Sequence, residues 1–193
     1  MTAETTDRRH RIAPIIGIVA VPVLMGLLLW AEGRMLLCSC GEFKFWVGDT
    51  CSSSNSQQLF DPYSFTHILH GFLLFWLVTL LFRKLKSSWQ FVLAIALEAA
   101  WEVLENTKFV IDHYREATAA LGYQGDTIVN SFGDLACALA GFLVARKLGL
   151  RWSLVVFIAV ELVLLLWIKD SLLLQLLMLI SPVDSIKLWQ MCR

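Results

Sequence analysis

Charge is scarce in this 193-residue chain: 17% of residues are Asp, Glu, Lys or Arg, and their signs cancel to a formal net charge of zero. No basic run exceeds pairs and triplets, and no basic surface is interleaved with aromatics, which excludes a nucleic-acid partner. Several enzyme motifs are missing as well. There is no Gly-x-Ser-x-Gly elbow and no Ser-x-x-Lys to activate a serine. There is no His-Glu-x-x-His, and no Glu-x-x-His of the two-metal helical bundles. Internal repeats are absent, and the one low-complexity tract is Ser52-Ser53-Ser54-Asn55-Ser56-Gln57-Gln58.

What the chain does have is apolar residues, 58% of the total, with a mean hydropathy of +0.66. They fall in long blocks, the pattern of a polytopic membrane protein rather than a soluble domain. About 20 helical residues cross the ~30 Å hydrocarbon core. The blocks therefore predict an all-α membrane bundle of five spans, at about 12–30, 64–82, 89–106, 128–148 and 153–168. A further apolar stretch, 172–180, is too short to cross and reads as a C-terminal membrane-associated half-helix. Residues 1–11 read as a disordered, cytoplasmic polar tail, and 12–193 as a single integral membrane domain. Pro22 predicts a kink in the first span. That span reads as a retained signal-anchor helix rather than a cleaved signal peptide: it is too long for an h-region, and Leu29-Trp30-Ala31 lacks a small-x-small cleavage pattern.

Lysine and arginine set the orientation. The N-terminus and the loops 83–88 and 146–152 hold nine of the sixteen basic residues in short segments. The positive-inside rule places these in the cytoplasm and loops 31–63 and 107–127 outside. The polar residues of three spans then meet at one depth. His67 and His70 start the second span, and Glu98, Glu102 and Glu105 climb one face of the third at i, i+4 and i+7. Asp126, Asn130 and Asp134 descend at the start of the fourth. One Asn or His in a membrane helix is usually interhelical glue. A set this large on three facing helices points instead to a functional site, since each carboxylate left unpaired in hydrocarbon costs roughly 2.5–3.5 kcal/mol.

The candidate metal ligands are His67, His70, Glu102 and Asp126, which could hold a divalent cation such as zinc, manganese or iron. Glu98 or Glu105 is the candidate general base, with Asp134 in the same catalytic set and Asn106 and Asn130 orienting substrate. Glu161 is a lone mid-membrane acid, and Trp101 reads as helix packing. The serine tract with Asp61 leads straight into the histidines, in the position of a lid. Cys38, Cys40 and Cys51 share the outward loop, where disulfides persist. Cys38 and Cys40 look too close to bridge each other, so Cys51 with either is the expected pair. Cys137 reads as packing, and Cys192 is uninformative.

The segments Cys38-Ser39-Cys40-Gly41, Ser54-Asn55-Ser56-Gln57, His67-Ile68-Leu69-His70-Gly71, Glu98-Ala99-Ala100-Trp101-Glu102-Val103-Leu104-Glu105-Asn106 and Tyr123-Gln124-Gly125-Asp126 through Asn130-Ser131-Phe132-Gly133-Asp134 together resemble an uncharacterised family of bacterial multipass inner-membrane proteins, a domain of unknown function. The likeness runs from the first span to Ser181-Pro182-Val183-Asp184. It implies a cell inner membrane location and a compact helical fold, and carries no established activity. A weaker likeness is to VanZ-like membrane proteins.

The expected function is that of a metal- or proton-dependent membrane enzyme acting on a lipid or lipid-linked substrate. Two alternatives are a proton or divalent-cation transport or binding protein, and a scaffold with a structural polar core. Transport ranks lower because only Glu161 and Thr79 continue the polar path towards the cytoplasm.

Overall fold

The computed structural model describes residues 3–118 and 122–191. Among them are seven helices and no strand, apart from one isolated bridge between Trp46 and Phe60. The helices are α1 (Ala3–Ala31), α2 (Ser64–Leu81), α3 (Ser87–Glu105), α4 (Lys108–Ala117), α5 (Ile128–Ile168), α6 (Leu172–Ile180) and α7 (Asp184–Gln190). The all-α expectation holds, and α6 falls on the expected half-helix.

The span count does not hold. Three helical segments, not five, are long and apolar enough to cross a membrane: Ile12–Ala31 within α1, α2, and α5. α3 has the length, but Glu98, Glu102 and Glu105 interrupt its apolar run, and it is not among the three. The expected fourth and fifth spans lie in one 41-residue helix broken only at Gly149, whose φ of 74° and ψ of 172° are non-helical. A straight helix of that length would run to about 60 Å. Here the chain reverses at the glycine instead. Asp134 reaches Ser64 at the start of α2, Phe142 packs on Phe75, Ser153 accepts from the Trp76 indole, and Trp167 is back beside Phe65. The two arms of α5 thus lie antiparallel along α2. Glycine makes such a tight reversal without steric cost, and it falls within the basic segment 146–152 expected to separate the fourth and fifth spans.

Other departures are local. Helix α1 begins at Ala3, inside the segment expected to be a disordered tail, and runs through Pro14 and Pro22. The 107–127 loop contains α4, whose first turn is capped by Thr107 accepting from the Val110 amide. Helix α7 was not anticipated. Cys38 and Cys40 form a disulfide with Cα atoms 5.2 Å apart, so Cys51 is not the partner of either in that bond. A turn that bonds the Cys40 amide to Cys38 Sγ brings the two close enough. Cys137 is free and half-buried, and Cys192 lies outside the described residues.

The core has two parts. Leu69, Phe72, Phe75, Val78, Phe142, Phe157 and Leu164 fill the space between α2 and the arms of α5. Met25, Leu29, Ile95, Ala99, Ile128 and Leu135 join α1 to α3 and α5. Where α2 meets α5 the backbones touch. A Cβ on Gly71 would sit 2.0 Å from the Ala138 carbonyl oxygen, and one on Gly141 would sit 2.1 Å from that of Ile68. Small residues permit this approach, and it is the main way helices attract one another in lipid.

At the far end of α5, Asp170 is buried and organises the turn into α6. It accepts from the Ser171 amide at 2.9 Å and from Gln175 at 3.4 Å, and the Tyr63 hydroxyl donates to it. Burial nevertheless pushes its carboxyl up to about 6.

Two outcomes follow. Gly71→Leu, which forces the α2–α5 contact apart, lowers the thermal unfolding midpoint of detergent-purified protein by an amount equivalent to roughly 3 kcal/mol; an unchanged midpoint would contradict the backbone contact. Asp170 is protonated in both folded and unfolded chains below about pH 4 and ionised in both above about 6, where the folded chain alone carries the burial cost. Stability therefore falls by up to about 3 kcal/mol as pH rises from 4 to 6, and Asp170→Asn removes this slope in unfolding midpoints measured across that range.

Candidate functional site

Helical spacing brings the polar side chains together. His67 and His70 lie one turn apart near the start of α2, and Glu98, Glu102 and Glu105 line the facing side of α3. The close α2–α5 contact carries Asp134 in from the third side. One oxygen, Glu98 Oε1, serves both imidazoles, at 2.9 Å from His67 Nδ1 and 3.0 Å from His70 Nδ1. The two rings stand edge to face, with centroids 4.8 Å apart. His67 Nδ1 is also 3.2 Å from Glu102 Oε1, and its Nε2 is 3.9 Å from Asp134 Oδ2. Asp134 accepts from the Ser64 hydroxyl at 2.9 Å.

Glu102 is the least satisfied member of the network, in which Glu105 Oε2 and Trp101 Nε1 also lack a partner. It is 0% exposed, yet neither of its carboxyl oxygens has a hydrogen-bond partner. The nearby His67 nitrogen is aligned on Glu98 instead. A buried carboxyl with nothing to accept from is among the more costly features a fold can keep. The described Lys and Arg side chains do not relieve it. Their ion pairs, Lys44 with Glu42 and both Lys108 and Arg115 with Asp112, lie outside the cluster. Two triads, His67–His70–Glu98 and His67–Glu102–Glu105, each place one donor atom per residue within 4.8 Å of the others, close enough to converge on one cation. Imidazole with carboxylate suits zinc, manganese or iron.

The remaining expected site residues stand elsewhere. Asp126, expected among the metal ligands, pairs with Asn106: the amide of Asn106 donates to its Oδ2 at 2.8 Å, and its own backbone amide donates to Asn106 Oδ1 at 2.7 Å. Tyr123 donates to the other carboxyl oxygen at 3.1 Å. Burial still pushes the Asp126 carboxyl up, against the pull of these donors. Asn130 donates to the Gln58 carbonyl at 2.9 Å and so holds loop rather than ligand. Glu161 stays outside the cluster and accepts from the Leu173 amide at 3.3–3.4 Å, at the start of α6.

Over the cluster lies the serine-rich loop. Ser56, Gln58, Asp61 and Ser64 are buried, and Asp61 accepts from the amides of Ser56 and Tyr63 at 2.8 Å each. The loop is joined to the start of α5 by Thr127 donating to the Ser56 carbonyl and Gln57 donating to that of Gly125. Asp61 and the serine tract had been singled out for their position; the capping roles of Ser64, Thr127 and Tyr123 had not, and their only signal is a small hydroxyl or phenol beside an acid. To the side of the cluster is a small cleft of about 30 Å³, room for a water or two. Its inner wall is His67, His70, Trp101 and Glu105; its outer wall is Val110 and Tyr114 of α4 and Leu172, Gln175, Leu176 and Leu179 of α6. Trp101, read as packing, stands edge-on to His70 at 5.6 Å and lines this cleft.

A family model described as a protein of unknown function (DUF2585) matches residues 29–192. The UPF0314 protein of Rhizobium meliloti (strain 1021) is 42% identical over 195 aligned positions, covering 98% of each chain. That of Sphingopyxis alaskensis is 42% identical over 174, covering 89% of this chain and 91% of its own. That of Brucella anthropi is 38% identical over 173, covering 90% and 88%. No solved structure matches the chain.

The Asn106–Asp126 pair has a measurable value. Asn106→Ala leaves a buried carboxyl short of a donor and a backbone amide short of an acceptor, and lowers stability by roughly 3 kcal/mol in denaturation of the purified protein. Asn106→Asp costs more, because it sets two acids face to face.

Proposed function

We propose, for a chain that belongs to the DUF2585 family of proteins of unknown function, that it is an integral inner-membrane enzyme with a divalent-cation centre acting on a lipid-linked substrate. The observation that carries this is Glu102: a fully buried carboxyl with two unpartnered oxygens beside two imidazoles and two further glutamates. A cation supplies the positive charge that this volume otherwise lacks. In this reading His67, His70, Glu98 and Glu102 hold the ion. Glu105, which lines the cleft, takes the proton from the attacking water. A bound divalent ion would make that water acidic enough to react near neutral pH. Asp134, held by Ser64, sets the orientation of His67 from the far side, as outer carboxylates do for metal-bound histidines. Asn106 and Asn130 are committed to Asp126 and to the roof, so substrate orientation falls to the cleft walls.

Membrane insertion is supported by the three long apolar segments and by the lipid-like exposure of Leu166 (85%), Val19 (61%) and Leu162 (55%). The basic segments 83–86, between α2 and α3, and 146–151, at the Gly149 bend of α5, lie remote from the cluster. With the N-terminus and those loops cytoplasmic, the site faces the outer leaflet.

The test is the metal content of protein purified from membranes. About one equivalent of a divalent transition metal is expected in the native chain, with loss in both Glu102→Gln and His67→Ala while helical content is retained. A metal-free native protein whose stability does not fall in Glu102→Gln would overturn the reading and leave the cluster as a structural polar core.

A further inference from the structure

The roof and the side wall of the site differ in kind. On the loop side, the covering segments are closed by hydrogen bonds at many points: Gln57 to the Gly125 carbonyl, Thr127 to Ser56, Asn130 to Gln58, Arg34 to Gln124 and the reciprocal Asn106–Asp126 pair. A ligand arriving from that side would have to break buried polar contacts in several segments at once. The side wall is α6, nine residues that are apolar except for Gln175. It is too short to cross a bilayer. Leu172, Leu176 and Leu179 face the cleft, while Leu173 and Ile180, 53% and 82% exposed, face away from the bundle. Few polar contacts hold it. His113 of α4 meets the Leu179 carbonyl at 2.8 Å, and Glu161 and Asp170 hold its first turn at longer range. Lys169, in the left-handed conformation, and Ser181 break the chain at either end of α6.

We propose that α6 is a lateral gate and that the substrate is a lipid whose acyl chain slides in from the leaflet between α4 and α6. The chain lies along Leu172, Leu176 and Leu179, and its polar group meets His70 and Glu105. The present cleft, about 30 Å³, holds little more than a water, so this is the closed state, and α6 swings outward about its two ends to admit the chain. The apolar outer face of α6 makes that movement cheap only where it slides against other apolar chains, which is what the leaflet provides. The inference rests on the cation-centre reading for the polar end of the substrate, but not for the path of the chain.

The experiment uses full-length protein in vesicles containing a phosphatidylcholine with a diazirine on one acyl chain, with photo-adducts mapped by mass spectrometry and metal content measured on the same samples. Adducts are expected on Val110, Tyr114, Leu176 and Leu179 as well as on outward-facing Leu162 and Leu166. Leu176→Trp, which fills the cleft, loses the cleft adducts and keeps the outward ones and the metal. Because a bulky residue could disturb α6, Leu179→Ala serves as a second variant, expected to retain the cleft adducts. Adducts confined to Leu162 and Leu166 in native protein, or cleft adducts unmoved by Leu176→Trp, would overturn the gate. A metal-free protein with cleft adducts would instead remove the cation centre and leave the gate standing.

Discussion

Five buried carboxyls, from Asp61, Glu98, Glu102, Asp126 and Asp134, and the half-buried Glu105 share one end of this bundle with two imidazoles and with none of the lysine or arginine ion pairs described. Much of the surrounding structure works to manage that shortage of positive charge. Asp61 is quieted by two backbone amides, Asp126 by an asparagine and a tyrosine, Asp134 by a serine. Glu98 takes both histidines. Each acid is met by the cheapest donor the local backbone can present. The remainder falls on Glu102, neither of whose oxygens has a donor, and on one oxygen of Glu105.

The backbone contact at Gly71 and Gly141 belongs to the same arrangement. His67 sits one turn before Gly71, and Asp134 lies two turns before Gly141. Only because α2 and α5 touch there can a side chain as short as aspartate stand 3.9 Å from the His67 ring. Packing and chemistry are therefore a single geometric demand: widening the helix crossing would remove the third wall of the cluster.

Much of the site was legible in the sequence because helical periodicity is a strong constraint. Glu98, Glu102 and Glu105 must share a face of any helix, and the lysine–arginine asymmetry fixes which helix ends lie together, so the meeting of His67, His70, the glutamates and Asp134 follows. What could not be read has local causes. Asp126 was aligned with Asn130 and Asp134 as if already helical, but it precedes α5, and the left-handed Gly125 turns its backbone amide onto Asn106. The serine tract has the composition of a solvated loop, and only its contacts to residues 68 to 72 positions further along make it a buried roof. The span count differs because the helix continues through the basic segment 146–151, bent only at Gly149, where a loop between two separate spans was expected, and because three glutamates interrupt the apolar run of α3. The Cys38–Cys40 bond escaped because spacing of two argues against bridging until a tight turn shortens the Cα separation.

The shared oxygen of Glu98 has a consequence for how the chain is made. Domains are built in order from the N-terminal end during synthesis, so α2 and α3 leave the ribosome before α5 exists. The partners of Glu98 are both on α2, 28 and 31 residues upstream. The nascent hairpin can therefore neutralise its deepest acid by itself, while Glu102 waits and Asp134 arrives last with the helix that closes the bundle. The vectorial order of the polypeptide is thus written into the pairing scheme: the earliest contacts protect the chain while it is unfinished, and the group left unsatisfied is the one whose surroundings are completed at the end.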